Sequence, residues 1–184
     1  MSTDVQIAII GIIGTLGGTI LGWVLNNFSQ KGKLNIYLKK WTDEFKHNEV
    51  GCMVKSSSME QAESYGYNLS LDLYNSSRET KILRDVNIVY LYNKEELFRN
   101  VPKDDYTKRV SHPIVSYDDI SVINIPAKSA INLNLHGGVW RDKKAETDNL
   151  SFLQYANRIV LEYRNERNKI KKRGCGHNPG HLIA

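Results

Sequence analysis

The chain has 184 residues, 41% apolar and 24% charged, with a formal charge of +5 at neutral pH. Those proportions exclude wholesale disorder and a polytopic membrane protein. Two cysteines, Cys52 and Cys175, exclude the framework of a disulfide-stapled secreted scaffold and read as free thiols. With a leading segment set apart, about 156 residues remain, the size of one ordinary domain.

That leading segment is 1–28. Residues 5–25, VQIAIIGIIGTLGGTILGWVL, carry no charge, and as a helix they span roughly 31 Å, the thickness of a bilayer's hydrocarbon core. Trp23 and Phe28 stand at the far end, where amphipathic rings favour the headgroup layer, and Asn26 and Asn27 mark the exit to water. The segment therefore predicts a transmembrane helix. The competing reading is a buried core helix. A cleaved signal peptide is disfavoured, because Met-Ser-Thr-Asp precedes the apolar run and no Ala-x-Ala follows it. No basic residue lies before Val5, whereas Lys31, Lys33, Lys39 and Lys40 follow Leu25 closely. The positive flank prefers the cytoplasm, so a single-pass protein of the cell membrane with a cytoplasmic C-terminal domain is expected.

The helix has a second pattern. On a helical projection Gly11, Gly14, Gly18 and Gly22 share an arc of about 80°, and Ile9, Ile13, Leu16, Ile20 and Val24 lie opposite. Lipid gives helices no hydrophobic reason to associate, and a bare backbone face supplies close approach instead. Self-association, or packing on another membrane protein, is the expected use; the plain alternative is that glycine is common in such helices.

After a short basic linker, 29–33, the period changes from 3.6 to 2. Strands are predicted at 34–39, 67–74, 82–92, 120–125, 131–136 and 158–164, with a short basic continuation to Arg173. Within 82–92 apolar residues face both ways, which predicts a central strand. The stretches 43–64 and 94–118 read as long polar loops, 142–156 as a loop holding one short helix near Asp148, and Gly137-Gly138 as a strand stop. Several strands without intervening amphipathic helices predict a mainly β fold: an antiparallel β-sandwich over 34–173, immunoglobulin-like in the loose sense, with a small β-barrel as the alternative. Residues 174–184 read as a flexible tail.

No signature of nucleophilic, phosphate-loop or zinc-protease chemistry appears, so no catalytic residue or cofactor is expected and an enzyme is disfavoured. The acidic pairs Asp104-Asp105 and Asp118-Asp119 read as solvated loop charges. Asn75-Ser76-Ser77 matches a glycosylation acceptor that an inward-facing domain does not meet. Cys175, His177 and His181 are weak candidate metal ligands, a single cluster in a glycine-rich stretch.

Charge is more informative. Residues 158–173 hold seven basic side chains against Glu162 and Glu166. Arg164, Arg167, Lys169, Lys171, Lys172 and Arg173 are the candidates for binding phosphate or lipid headgroups. Anionic lipid is the first partner. Nucleic acid is second, since no aromatic residue interleaves with the run after Tyr163. A merely solubilising face is the bland reading.

These features predict a membrane-anchored interaction or sensing module whose β-domain binds a protein or ligand at the inner surface, as a homo-oligomer or with a membrane-protein partner. The alternative is a membrane-disrupting or pore-forming effector, of the toxin or phage-defence type, in which the glycine-faced helices assemble on a signal from the β-domain.

Overall fold

The computed structural model describes residues 3–30, 32–144 and 148–176. Helix α1 (Thr3–Gln30) opens the chain. Thr15 and Thr19 return their hydroxyls to the carbonyls of Gly11 and Thr15 at 2.9 and 2.8 Å, so their polarity is absorbed within the helix. The apolar stretch Thr3–Phe28 has a mean hydropathy of 2.0 and none of it is buried against the rest of the chain.

The remainder is mainly β, and every strand pairing is antiparallel. In chain order the strands are β1 (Leu34–Glu49), β2 (Cys52–Lys55), β3 (Ser64–Asn75), β4 (Lys81–Tyr92), β5 (Glu95–Asn100), β6 (Lys103–Asp104), β7 (Arg109–Ser111), β8 (Ile114–Ser116), β9 (Ile123–Ile125), β10 (Ala130–Trp140), β11 (Arg158–Arg164) and β12 (Ile170–Gly176). A short helix α2 (Phe152–Tyr155) precedes β11. One sheet has the order β2-β1-β3-β10-β6. The other has β12-β11-β4-β5, with β9 on the first residues of β4, and β7 and β8 form a separate hairpin.

Alternation drives the packing. Tyr65, Tyr67, Leu69, Leu71 and Leu73 of β3 point into one core with Val86, Ile88 and Tyr90 of β4 and Ile159, Leu161 and Tyr163 of β11. Aromatic contacts link the layers: Tyr90 meets Phe152 edge-on at 5.0 Å and Phe98 stacks on Phe152 at 4.3 Å. The opposite faces of β4 and β11 hold a smaller cluster, Val89, Leu91 and Val160. Strand β4 is central and apolar on both faces, as its sequence predicts.

Several expected loops are strands. Strand β1 runs on to Glu49 and β2 pairs with it, because a bulge between Leu38 and Lys40 shifts the alternation by one and brings Trp41 and Phe45 to the inner face. Within 94–118 lie four short strands whose side chains are mostly exposed, which leaves little apolar period to read. Gly137 and Gly138 lie inside β10 rather than ending it. A Cβ on Gly137 would stand 2.4 Å from the Tyr67 hydroxyl, and one on Gly138 2.5 Å from the Tyr65 carbonyl. Strand β12 continues to Gly176, beyond the expected boundary at 173, and Cys175 is buried in the core.

Two ends of the sandwich differ. The far end is closed by α2, with Leu150, Phe152, Leu153 and Ala156 buried, and by Arg141, which binds Asp148 at 2.9 Å and the carbonyls of Glu60 and Met59 at 2.7 and 3.0 Å. The helix-proximal end is held by Asn75, which is fully buried. Its Nδ2 donates to the carbonyls of Glu79, Ile125 and Pro126, and its Oδ1 accepts from the amide and hydroxyl of Ser77. Asn75 thus ties β3 to the strands that follow it on both sides.

Candidate functional site: a basic cleft beside the helix exit

The junction between α1 and β1 is short and tight. The Lys33 amide donates to Ser76 Oγ at 2.9 Å, and the Lys33 carbonyl accepts from the Ser76 amide and hydroxyl at 3.0 and 2.9 Å. Gly32 lies flat against the 76–77 backbone: a Cβ there would sit 2.2 Å from both Ser77 Cα and Ser77 N. On the other side of this turn Lys128 reaches the Ser76 carbonyl at 2.6 Å.

Beside the junction opens a cleft of about 750 Å³, bounded by Asn27 at the helix end, by Gly32 to Leu34, by Glu79 and Lys81, and by the β11–β12 hairpin. Its walls carry the basic side chains Lys33, Lys81, Arg167, Lys169, Lys171, Lys172 and Arg173 against two carboxylates, Glu79 and Glu166. The hairpin turn is built by Asn165, whose Oδ1 accepts from the amides of Arg167 and Lys169 at 3.1 and 2.9 Å, with Asn168 in the left-handed region at φ 56°.

Strand alternation divides the six basic residues expected to act together. Strand β12 pairs Lys172 with Glu162, and on that face Glu162 receives Lys172 at 3.0 Å and Arg99 at 2.7 Å. Burial acts to raise the Glu162 pKa, but the hydrogen bonds from Arg99 and Lys172 outweigh it and hold the carboxyl below its ordinary value. Arg164 pairs with Asp85 at 3.1 Å. Lys171 and Arg173 share the inner face with Cys175 but stand exposed where the edge strand overhangs the cleft. Lys81 is taken by Glu166 at 3.2 Å and Glu79 at 3.8 Å. Burial would raise the Glu166 pKa; bonds from its own backbone and from Lys81 keep it low. Among the described residues, Lys33, Arg167, Lys169, Lys171 and Arg173 make no ion pair. At the cleft floor, burial raises the Tyr163 pKa, opposed by Arg173.

The other expected sites separate. The Cβ positions of Gly11, Gly14, Gly18 and Gly22 have no neighbour within 4 Å, so this face of α1 is uncovered. Cys175 points into the core, where burial pushes its thiol up to about 12, so at neutral pH it is a protonated apolar group rather than a thiolate ligand. His177 and His181 lie outside the described residues, and no cluster of three or more metal-ligating side chains exists among the described ones. The linker residue Lys31 also lies outside them.

The acidic pairs are structural. Asp104 caps the turn at Asp105–Thr107 by accepting from the Tyr106 amide at 2.9 Å, Asp118 pairs with Arg109, and Asp105 meets His136 Nδ1, whose ring packs edge-on against Tyr117. Two members of the cleft, Lys33 and Lys81, were not among the sequence candidates, since each stands outside the basic run and joins it only through the strand pairing.

A family model described as the YopI Ig-like domain matches residues 32–175, a stretch that opens at Gly32 and leaves α1 outside. The chain is similar to the SPbeta prophage-derived protein YopI of Bacillus subtilis (strain 168), with 24% identity over 165 residues covering 88% of this chain and 90% of that one. Two solved structures also match: an ApaA protein from Bordetella pertussis, with a TM-score of 0.34 and 6% identity over 79% of this chain and 89% of that one, and the Iho670 flagellar-like filament, with a TM-score of 0.36 and 10% identity over 100% and 99%.

Proposed function

The chain belongs to the YopI Ig-like domain family, and from that premise we propose a single-pass membrane-anchored interaction or sensing module. In this reading α1 spans the bilayer and associates through the face of Gly11, Gly14, Gly18 and Gly22, and the Ig-like domain holds a protein or ligand partner at the cytoplasmic surface.

One observation carries the reading: α1 presents Ile7, Ile10, Ile12, Ile13, Leu16, Ile20, Leu21 and Leu25 at 58–70% exposure, and the domain covers none of its apolar stretch. Each such side chain costs about 1.5–3 kcal/mol when held in water rather than in an apolar medium, so lipid is the solvent this helix suits. The lysines that follow it, Lys33, Lys39 and Lys40, favour the cytoplasmic side.

Alkaline carbonate extraction of membranes from expressing cells tests the anchor, and thiol labelling tests its direction. Cys52 is exposed and Cys175 buried, so a membrane-impermeant maleimide reports on one site. The chain should stay with the membrane pellet and label only after permeabilisation. Release into the supernatant would remove the anchor, and labelling of intact cells would reverse the orientation.

A further inference from the structure

We infer that the cleft at the helix exit is an anion site that takes the phosphate of an anionic lipid headgroup from the leaflet in which α1 ends. This rests on the reading of α1 as a membrane span.

Three observations point there together. First, Lys33, Arg167, Lys169, Lys171 and Arg173 line one cleft and make no ion pair among the described residues, although their neighbours are paired, Lys172 with Glu162, Arg164 with Asp85 and Lys81 with Glu166. Seven basic side chains against Glu79 and Glu166 leave the cleft strongly positive, and a bound anion relieves that repulsion. Second, the main chain that carries these side chains is held in place. The Asn165 carboxamide fixes the turn that carries Arg167 and Lys169, the β11–β12 pairing fixes Lys171 and Arg173, and the Ser76 bonds fix Lys33. Two guanidinium forks with three ammonium groups match the donor set a phosphate accepts. Third, Asn27 on the last turns of α1 forms part of the rim, so the opening lies at the level where the apolar helix ends and headgroups begin. A polynucleotide suits the site less well, because Tyr163 is 6% exposed and offers no face for a base to stack on.

The test uses the full chain in dodecylmaltoside micelles, titrated with dioctanoyl-phosphatidylglycerol, dioctanoyl-phosphatidylcholine, inorganic phosphate and a single-stranded oligonucleotide. Binding is read by native mass spectrometry and by the shift in unfolding temperature. Phosphatidylglycerol should bind and phosphatidylcholine should not. K171E/R173E should weaken phosphatidylglycerol binding by at least about 30-fold, on the scale of two surface cations lost, while keeping the wild-type unfolding temperature without lipid. K55E/K108E makes the same change in net charge at exposed positions outside the cleft and should bind as wild type.

Equal weakening in K55E/K108E would reduce the effect to net charge and overturn the inference. Inorganic phosphate binding as tightly as the lipid would overturn the lipid as source, and tighter, competitive oligonucleotide binding would make the cleft a nucleic-acid site. Should K171E/R173E unfold early, K169Q/K171Q replaces it and must weaken lipid binding at unchanged stability, or the inference fails. The micelle titrations are independent of carbonate extraction: a chain that extracts as soluble yet binds in micelles overturns the anchor, and one that stays in the membrane without binding overturns only the cleft.

Discussion

Gly32 and Ser77 touch backbone to backbone, with the Cβ position of the first 2.2 Å from the Cα of the second. A side chain at residue 32 has nowhere to go, because the obstacle is main chain in a turn already held by Asn75 and Lys33. Gly32→Ala should part the junction and break the Lys33–Ser76 bonds, at about 1–3 kcal/mol. Gly174, in β12, has open space where its Cβ would be, and Gly174→Ala should change stability by about 0.5 kcal/mol or less. Thermal unfolding of the two variants beside the wild type checks the contrast.

Asn75 is fully buried with all its side-chain polar capacity used. Asn75→Ala leaves the Ser77 amide without its acceptor and removes a donor from three carbonyls, of which those of Glu79 and Pro126 keep the Ser77 and Ser129 hydroxyls, and should cost about 1–3 kcal/mol. Asn75→Asp keeps the shape but sets a carboxylate oxygen against three carbonyls, and should be at least as damaging at neutral pH. Denaturant unfolding at constant m reads both.

Acid should loosen the outer face of the second sheet. The Glu162 pKa is lower folded than unfolded, so its contribution is fully present above the ordinary carboxylate value and is lost as pH falls through the folded one. Glu162→Gln should therefore unfold more easily than wild type at pH 7, by about 1–2 kcal/mol. The two stability curves should converge as pH falls below about 4.5, the ordinary value of the group. Parallel curves across that range would assign the loss to packing.

Alkali should attack the core. Burial raises the folded pKa of Cys175 to about 12 and raises those of Tyr65, Tyr67 and Tyr90 as well. Groups raised on folding contribute fully below their unfolded values and lose that contribution as pH climbs toward the folded ones. Stability should fall from about pH 9 upward, and Cys175→Ala should flatten the first part of that fall at the cost of about 1–2 kcal/mol in packing. Unfolding temperatures at stepped pH show it, as does a thiol reagent that reaches Cys52 at once and Cys175 only on unfolding.

Replacement of Gly14, Gly18 and Gly22 by leucine should end helix association while keeping the chain in the membrane. Cross-linking in membranes, at unchanged carbonate resistance, reads the outcome.

The apolar helix, the central strand β4 and the inward residues of β3, β10 and β11 were legible in the sequence, because the helix is apolar along its whole length, β4 is apolar on both faces, and the other three alternate over one core. Strand β1 beyond Leu38 was not, since the bulge inverts its alternation and its outward face is polar. Gly137 and Gly138 looked like a stop, yet β10 needs them bare so that Tyr67 and the backbone of β3 can close in. The basic run was visible as composition, but alternation sends Lys172 to Glu162 and its neighbours Lys171 and Arg173 toward the cleft. Nothing in a linear reading joins Lys33 to residues some 135 positions later; the fold does so through the end of β3 and the turn after β11.

Strand β1 is 16 residues long and starts within four residues of the end of α1. At about 3.3 Å per residue it measures up to about 50 Å. It is thus a stiff mast: under the proposed anchoring, a partner that grips the β1–β2 turn is held within about that distance of the end of α1, and only assemblies working this close to the bilayer come within reach.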